Sequence, residues 1–87
     1  LNYTLVISPS AERAMKRLPK DVRQRVDDRI LLLQNEPRPL GCTKLVGHSN
    51  LYRIRVGNYR IIYEIHDDRV LVVVIVVAHR RESYRGM

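Results

Sequence analysis

At 87 residues the chain has room for one modest hydrophobic core and nothing left for a second, so a single domain spanning residues 1–87 is expected. Lys and Arg number 16 against 9 Asp and Glu, a net charge of +7, which on so small a surface draws polyanions or simply keeps the protein in solution; nucleic acid leads the possible partners. A lone cysteine, Cys42, excludes an internal disulfide, and the longest apolar run, Val70 to Ala78, is too short to span a bilayer, so a cytoplasmic protein that does not engage a membrane is expected.

With no Trp and no Phe, the core must be filled by Val, Ile, Leu and Tyr, a mix that leans toward sheet. Tyr3 to Ile7 alternates as a short strand does. Ser8 and Pro9 end it and open a helix, because proline lacks the N–H that would go unpaired at the first helical position. Ala11, Ala14, Met15 and Leu18 then follow one buried helical stripe. Pro19 interrupts the pattern, and Val22, Val26, Ile30 and Leu33 resume it, which predicts a helix hairpin. Its other faces carry Lys16, Arg17, Lys20, Arg23, Arg25 and Arg29, either as a solvated surface or as a face for nucleic acid or an acidic protein. From Asn35 to Asn50 the prolines and glycines and the lack of periodicity predict a loop.

Leu51 to Val56 and Tyr59 to His66 read as two strands joined by Gly57-Asn58, a pair suited to a tight hairpin turn. That turn sets Val56 opposite Tyr59, Arg55 opposite Arg60, Ile54 opposite Ile61, Arg53 opposite Ile62 and Tyr52 opposite Tyr63. Alternation puts Tyr52, Ile54, Val56, Tyr59, Ile61, Tyr63 and Ile65 on one apolar face for the helices to cover. Arg53, Arg55 and Arg60 share the other, with Glu64 and His66 further along. Asp67-Asp68 makes the next turn, and the unbroken apolar run from Val70 to Val77 reads as a central strand covered on both sides. The predicted fold is α+β in the order β-α-α-β-β-β, with an N-terminal strand and a helix hairpin packed on one face of a mainly antiparallel four-stranded sheet.

Like charges directly opposite one another on a sheet are unfavourable, so the Arg55–Arg60 pair calls for an anion. Guanidinium groups offer planar, paired donors that match phosphate and can neutralise charge building up at phosphorus. The three histidines and one cysteine have no metal-ligand spacing, and no cofactor is expected.

Leu51-Tyr-Arg-Ile-Arg-Val-Gly-Asn-Tyr-Arg-Ile-Ile-Tyr-Glu-Ile, followed by the Val-rich strand and Ala78-His-Arg-Arg-Glu-Ser-Tyr84, resembles the RelE/ParE superfamily of bacterial toxins over nearly the whole chain, including the loop segment Lys44-Leu45-Val46-Gly47. The resemblance implies a RelE-like enzyme that enters the ribosomal A site and cuts mRNA by metal-independent attack of the ribose 2′-OH on the adjacent phosphate. It also implies neutralisation by a paired antitoxin, contact with rRNA, and operator DNA reached through the antitoxin complex. Carried over by position, Arg53 and Arg55 match basic residues of the second strand, Arg60 the arginine that opens the third, Arg80 the arginine after the fourth, and Tyr84 the C-terminal tyrosine. Arg55 and Arg60 are expected to clamp phosphate, Arg80 to stabilise the leaving oxygen, and Tyr84 to position or stack on a base. Lys44, Arg81 and Arg85 are expected to contact RNA, and Arg81 is the alternative to Arg80 because the tail is shorter than in some relatives.

Some relatives carry lysine where this chain has Arg53 and Arg55, and arginine, unlike lysine, does not give up its proton. That leaves the identity of the general base open. If the hairpin register extends into the last strand, His79 points to the arginine face and is a candidate base or acid; Glu64 and His66 are weaker candidates. Two rival readings share the fold: a ParE-like inhibitor of DNA gyrase, and an RNA-binding module without catalysis.

Overall fold

The computed structural model describes residues 2–81. Strand β1 (Thr4–Ile7) leads into helices α1 (Pro9–Lys16) and α2 (Lys20–Leu32), then into strands β2 (Thr43–Lys44), β3 (Leu51–Val56), β4 (Tyr59–His66) and β5 (Leu71–His79). The sheet has five strands in the order β1-β5-β4-β3-β2, mixed because β1 runs parallel to β5 while every other pair is antiparallel. The strand beyond the four expected is β2, two residues long, which pairs Thr43 with Arg53 and Lys44 with Tyr52 inside the segment read as loop. A bridge that short has no periodicity for sequence reading to detect.

The helix hairpin begins as its residues dictate. Ser8 Oγ accepts the Ala11 N–H at 3.2 Å, Pro9 occupies the first turn, and α2 starts immediately after Pro19. Ala11 and Met15 of α1 and Val26, Ile30 and Leu33 from α2 and its cap pack on Tyr52, Ile54, Val56, Ile61, Tyr63, Ile65, Val72, Val74 and Val77. All the helical contributions come from one side, so a single face of the sheet is covered. Cutting Ile61 or Ile30, each at most 1% exposed, back to alanine removes on the order of 2–5 kcal/mol of stability.

The β3–β4 register is the one the Gly57-Asn58 turn demands, with Val56 opposite Tyr59 and Arg55 opposite Arg60. Gly57 has φ of 58° and is the only one of the two turn residues with positive φ, as in a hairpin turn of the II′ kind.

The last strand departs from simple alternation. Ile62 pairs with Val76 and Tyr63 with Val74, so Ile75 is an extra residue bulged out of the ladder. The bulge is anchored from below: Ser8 N–H donates to Val74 O at 2.8 Å and Ser8 Oγ donates to Ile75 O at 3.2 Å. The residue that caps α1 therefore also holds the kink in β5. The reading of β5 as covered on both faces is corrected here. Val72, Val74 and Val77 are buried under the helices, whereas Leu71, Val73, Ile75 and Val76 are only half-buried on the open side. The strand's continuous apolar run reflects its interior place between β1 and β4, not a second layer.

Between β4 and β5 a single 3₁₀ turn, Asp67–Arg69, ends at Val70, whose φ of 51° and ψ of 52° put a β-branched residue in the left-handed region. That conformation costs roughly 1–2 kcal/mol. A network of side chains holds this end of the sheet. Arg38 donates through Nη2 to Asp67 Oδ2 at 2.8 Å, through Nη1 to Oδ1 at 3.3 Å and through Nε to Tyr52 Oη at 3.2 Å. Tyr3 Oη donates to Asp67 Oδ1 at 2.8 Å, and Tyr63 Oη donates to Pro37 O at 2.7 Å beneath a stacked Tyr52 ring. Hydrogen bonds from Arg38 and Tyr3 hold the Asp67 carboxyl below its usual range, while burial, helped by neighbouring Cys42, pushes the Tyr63 phenol up. Among the described residues, no helix is long and apolar enough to cross a membrane.

Candidate nucleic-acid interface

At the other end of β4, the turn and the chain leaving β5 come together. Arg80 N–H donates to Asn58 O at 2.7 Å, which brings the start of the tail against the hairpin turn. The result is a cleft of about 90 Å³ lined by Arg55, Gly57, Asn58, Tyr59, Arg60 and Arg80. Three guanidinium-bearing residues from three different segments thus line one small depression, and among the described residues its lining contains no carboxylate. The Nε of Arg60 is shut off from solvent, so part of that side chain already lies in a low-dielectric setting where its charge acts more strongly on a bound anion.

Arg53 lies on the same face as this cleft, opposite Ile62 and one alternation behind Arg55, but is not part of its lining. Ile62 itself is buried at 3% exposure on this nominally polar face, flanked in register by Arg53 and Val76, so the arginines stand on an apolar floor.

His79 is where the expectation fails. It pairs with Tyr59 and meets that ring edge-on at 5.3 Å between centroids, on the side facing α1, in a pocket with Ala14, Arg17, Leu18 and Val77. Without the bulge, alternation from Val72 and Val74 would carry position 79 to the arginine face. The extra residue at Ile75 reverses the parity, so Ala78 stands opposite Arg60 and His79 turns away. Glu64 and His66 do lie on the arginine face, but they pair with each other at 2.9 Å, and Glu64 sits roughly 13 Å along the strand from Arg60.

Of the other expected contacts, Lys44 is exposed and pairs with Tyr52, which directs it to the opposite face from Arg53. Arg81 is exposed, with its N–H donating to His79 Nδ1 at 3.2 Å; Arg80, and not Arg81, lines the cleft. Tyr84 and Arg85 lie outside the described residues. Sequence reading named Arg25 and Arg29 only as part of a charged helix face, yet both reach the turn and line a pocket with Arg55 and Gly57. A signal for this was present in Val22 and Val26: with these on the buried stripe, Arg25 and Arg29 flank its edge, but which strand end they would meet is a tertiary matter. Among the described residues no three His, Cys, Asp or Glu side chains gather as metal ligands.

Comparison with known proteins places this arrangement in a lineage. The family model for the ParE toxin of type II toxin-antitoxin systems matches residues 5–84. Toxin RelE of Mycobacterium tuberculosis is 32% identical over 84 residues, covering 95% of this chain and 87% of that protein. The mRNA interferase toxin RelE of Escherichia coli K12 is 32% identical over 83 residues, covering 93% of this chain and 86% of that one. Among solved structures, the archaeal RelE-RelB complex from Pyrococcus horikoshii includes a chain that superposes with a TM-score of 0.82 at 28% identity, over 92% of this chain and 97% of its own length. The strand order, the arginine-bearing hairpin and these matches over most of the length agree: the chain belongs to the RelE/ParE family of toxins of type II toxin-antitoxin systems.

Proposed function

We propose that this toxin is a ribosome-dependent mRNA endonuclease that works without a metal ion in the cytoplasm and is held silent by a cognate antitoxin. The observation that carries the reading is the gathering of Arg55, Arg60 and Arg80, from three segments, around one cleft. The names of relatives such as the E. coli mRNA interferase support the same substrate.

In this reaction the ribose 2′-oxygen bonds to the adjacent phosphorus and the bond from phosphorus to the 5′-oxygen breaks. A 2′,3′-cyclic phosphate and a 5′-hydroxyl result; the 2′-OH gives up one proton and the departing 5′-oxygen gains one. Negative charge builds on the non-bridging oxygens as the fifth bond forms. Arg55 and Arg60, from adjacent strands, are set to hold those oxygens, and Arg80, from the third segment, to stabilise the leaving oxygen. Arg53 extends the same charge along the RNA, and Tyr84 supplies a ring to stack on a base. Among the described residues the lining supplies fixed positive charge and no near-neutral base, so in this reading the cleft acts chiefly by electrostatic stabilisation and by aligning the RNA within the A site, with the 2′-OH proton passing to solvent or to a ribosomal group. His79 is turned away from the cleft, and this reading assigns it no role as the base.

The half-buried Leu71, Val73, Ile75 and Val76 on the open sheet face, with exposed Val6 beside them, support a protein partner such as an antitoxin, and relatives have been solved as RelE-RelB complexes. Operator DNA would be reached only through that complex.

Expression in bacteria followed by mapping of mRNA 5′ ends tests the proposal. Breaks phased with codons in translated messages are expected. Intact messages accompanied by gyrase-linked DNA breaks would instead identify a ParE-like inhibitor, and intact messages and DNA a binding module.

A further inference from the structure

We propose that the pocket on the helix side of the Gly57 turn is a second phosphate subsite, which takes a backbone phosphate of the RNA strand neighbouring the one held in the arginine cleft. The inference rests on the nuclease reading above and adds a direction for the strand: out of the cleft, over the turn and onto α2.

The pocket, about 290 Å³, is lined by Arg25, Asp28 and Arg29 of α2 and by Arg55, Val56 and Gly57. Arg55 and Gly57 also line the cleft, so the two depressions abut across the turn and share a guanidinium-bearing residue. Arg25 additionally borders the small hollow beside Asn58 and Tyr59, spanning the crest between them.

Gly57 makes this possible in two ways. Its φ of 58° is needed for the turn, and a Cβ there would lie 2.8 Å from Arg25 Nη2. The guanidinium therefore lies directly against bare backbone, where any side chain would push it aside.

Arg25 and Arg29 stand one helical turn apart, where like charges repel, and they face Arg55, which already opposes Arg60. Among the described residues neither Arg25 nor Arg29 has an ion pair. Asp28 offsets one of the three positive charges of the pocket and is engaged by Gln24 Nε2 at 3.0 Å, so the rim stays cationic. A charge pattern that is locally unfavourable from α2 through the turn to β4 is relieved by a ligand that presents several anionic groups in a row. A nucleic-acid backbone does so, and its non-bridging oxygens match paired guanidinium donors. Continuity with the cleft through Arg55 favours the same RNA strand over a separate acidic protein.

The test uses a 2′-O-methyl RNA tetranucleotide, which lacks the attacking hydroxyl and cannot be cut, with binding followed by fluorescence anisotropy across a salt series. Arg25→Gln/Arg29→Gln is expected to bind about tenfold more weakly and to lower the slope of log K against log salt by about 1. A neutral methylphosphonate at one flanking position should weaken wild-type binding about tenfold and leave the double variant unaffected, because both changes remove the same contact. Circular dichroism melting checks that the variant is folded; Arg25 is exposed and Arg29 half-buried. Wild-type affinity and slope in the variant would overturn the subsite, as would a methylphosphonate penalty equal in both proteins or failure of the wild-type chain to bind the tetranucleotide. If the variant keeps its RNA affinity but loses affinity for a polyglutamate peptide, the pocket belongs to an acidic protein. The nuclease reading is judged separately, by the mapped mRNA ends of the wild-type toxin.

Discussion

The two ends of β4 use arginine in opposite ways. At the Asp67 end, Arg38 spends its donors inside the molecule: two reach one carboxylate, one reaches Tyr52, and the guanidinium lies 5.1 Å from the centre of the Tyr52 ring. At the Gly57 end, Arg55, Arg60 and Arg80 line one cleft, and Arg25 and Arg29 crowd the same turn. The first arrangement ties the loop after α2 to the β4–β5 turn and to β1; the second concentrates charge toward a ligand. The type of residue does not distinguish them. What does is the setting: at one end a carboxylate and a phenol from other segments surround a single guanidinium, at the other several guanidinium-bearing residues border one turn.

The largest expected effect breaks the Gly57 end. Arg60→Ala with Arg80→Ala should lower cleavage of ribosome-programmed mRNA, read by primer extension, by at least about 10³-fold, or roughly 4 kcal/mol of barrier. Circular dichroism should show the double variant folded, because neither side chain belongs to the hydrophobic core. Retained cutting would mean that the cleft is not the site.

At the Asp67 end the effects fall on stability and spare the chemistry. Tyr63→Phe deletes the 2.7 Å bond to Pro37 O and strands that carbonyl, at a cost of about 1–2 kcal/mol by chemical denaturation. Because the folded state raises the Tyr63 pKa, its contribution is complete below the ordinary tyrosine value of about 10 and is lost as pH rises above it. The alkaline fall in stability should be shallower in the variant.

Asp67 titrates with the opposite sign. Its pKa is depressed, so the stability it contributes is present above the ordinary carboxylate value of about 3.9 and disappears as pH falls through the lower native value. Melting curves at pH 7 and pH 3 should converge for wild type and Asp67→Asn in acid and separate at neutrality. The effect is modest because the Arg38–Asp67 pair is exposed, and cleavage at neutral pH should be unchanged.

The smallest change expected is for His79→Ala. A general base would lose orders of magnitude in rate; a residue facing α1 beside Tyr59 should leave cleavage within a few-fold and flatten no limb of the pH–rate profile. A large loss would show that the bulge relaxes when RNA binds.

Much of the fold was legible in the sequence. Ser8-Pro9, Pro19 and Gly57-Asn58 are local signals, each acting through the φ preference or hydrogen-bonding capacity of one or two residues, and each marks the boundary it predicts. The hairpin register followed from the turn length, and with it the convergence of Arg53, Arg55 and Arg60 on one face. The family was legible too, since the hairpin and the Val-rich strand form a continuous pattern.

What the residues alone could not decide were matters of parity and of distance. Nothing local marks Ile75 as bulged; the kink exists because Ser8, 67 positions away, bonds its carbonyl, and that one extra residue turns His79 from the arginine face to the helix face. The partnership of Arg38 with Asp67 and the seating of Arg25 on Gly57 likewise join groups far apart in the chain. Local propensity specifies which way a strand or helix begins and which face it buries. Only the packing of α1 and α2 on the sheet settles which charges then gather around one turn and which reach a group on a distant segment, because those energies depend on separation in space and not along the chain.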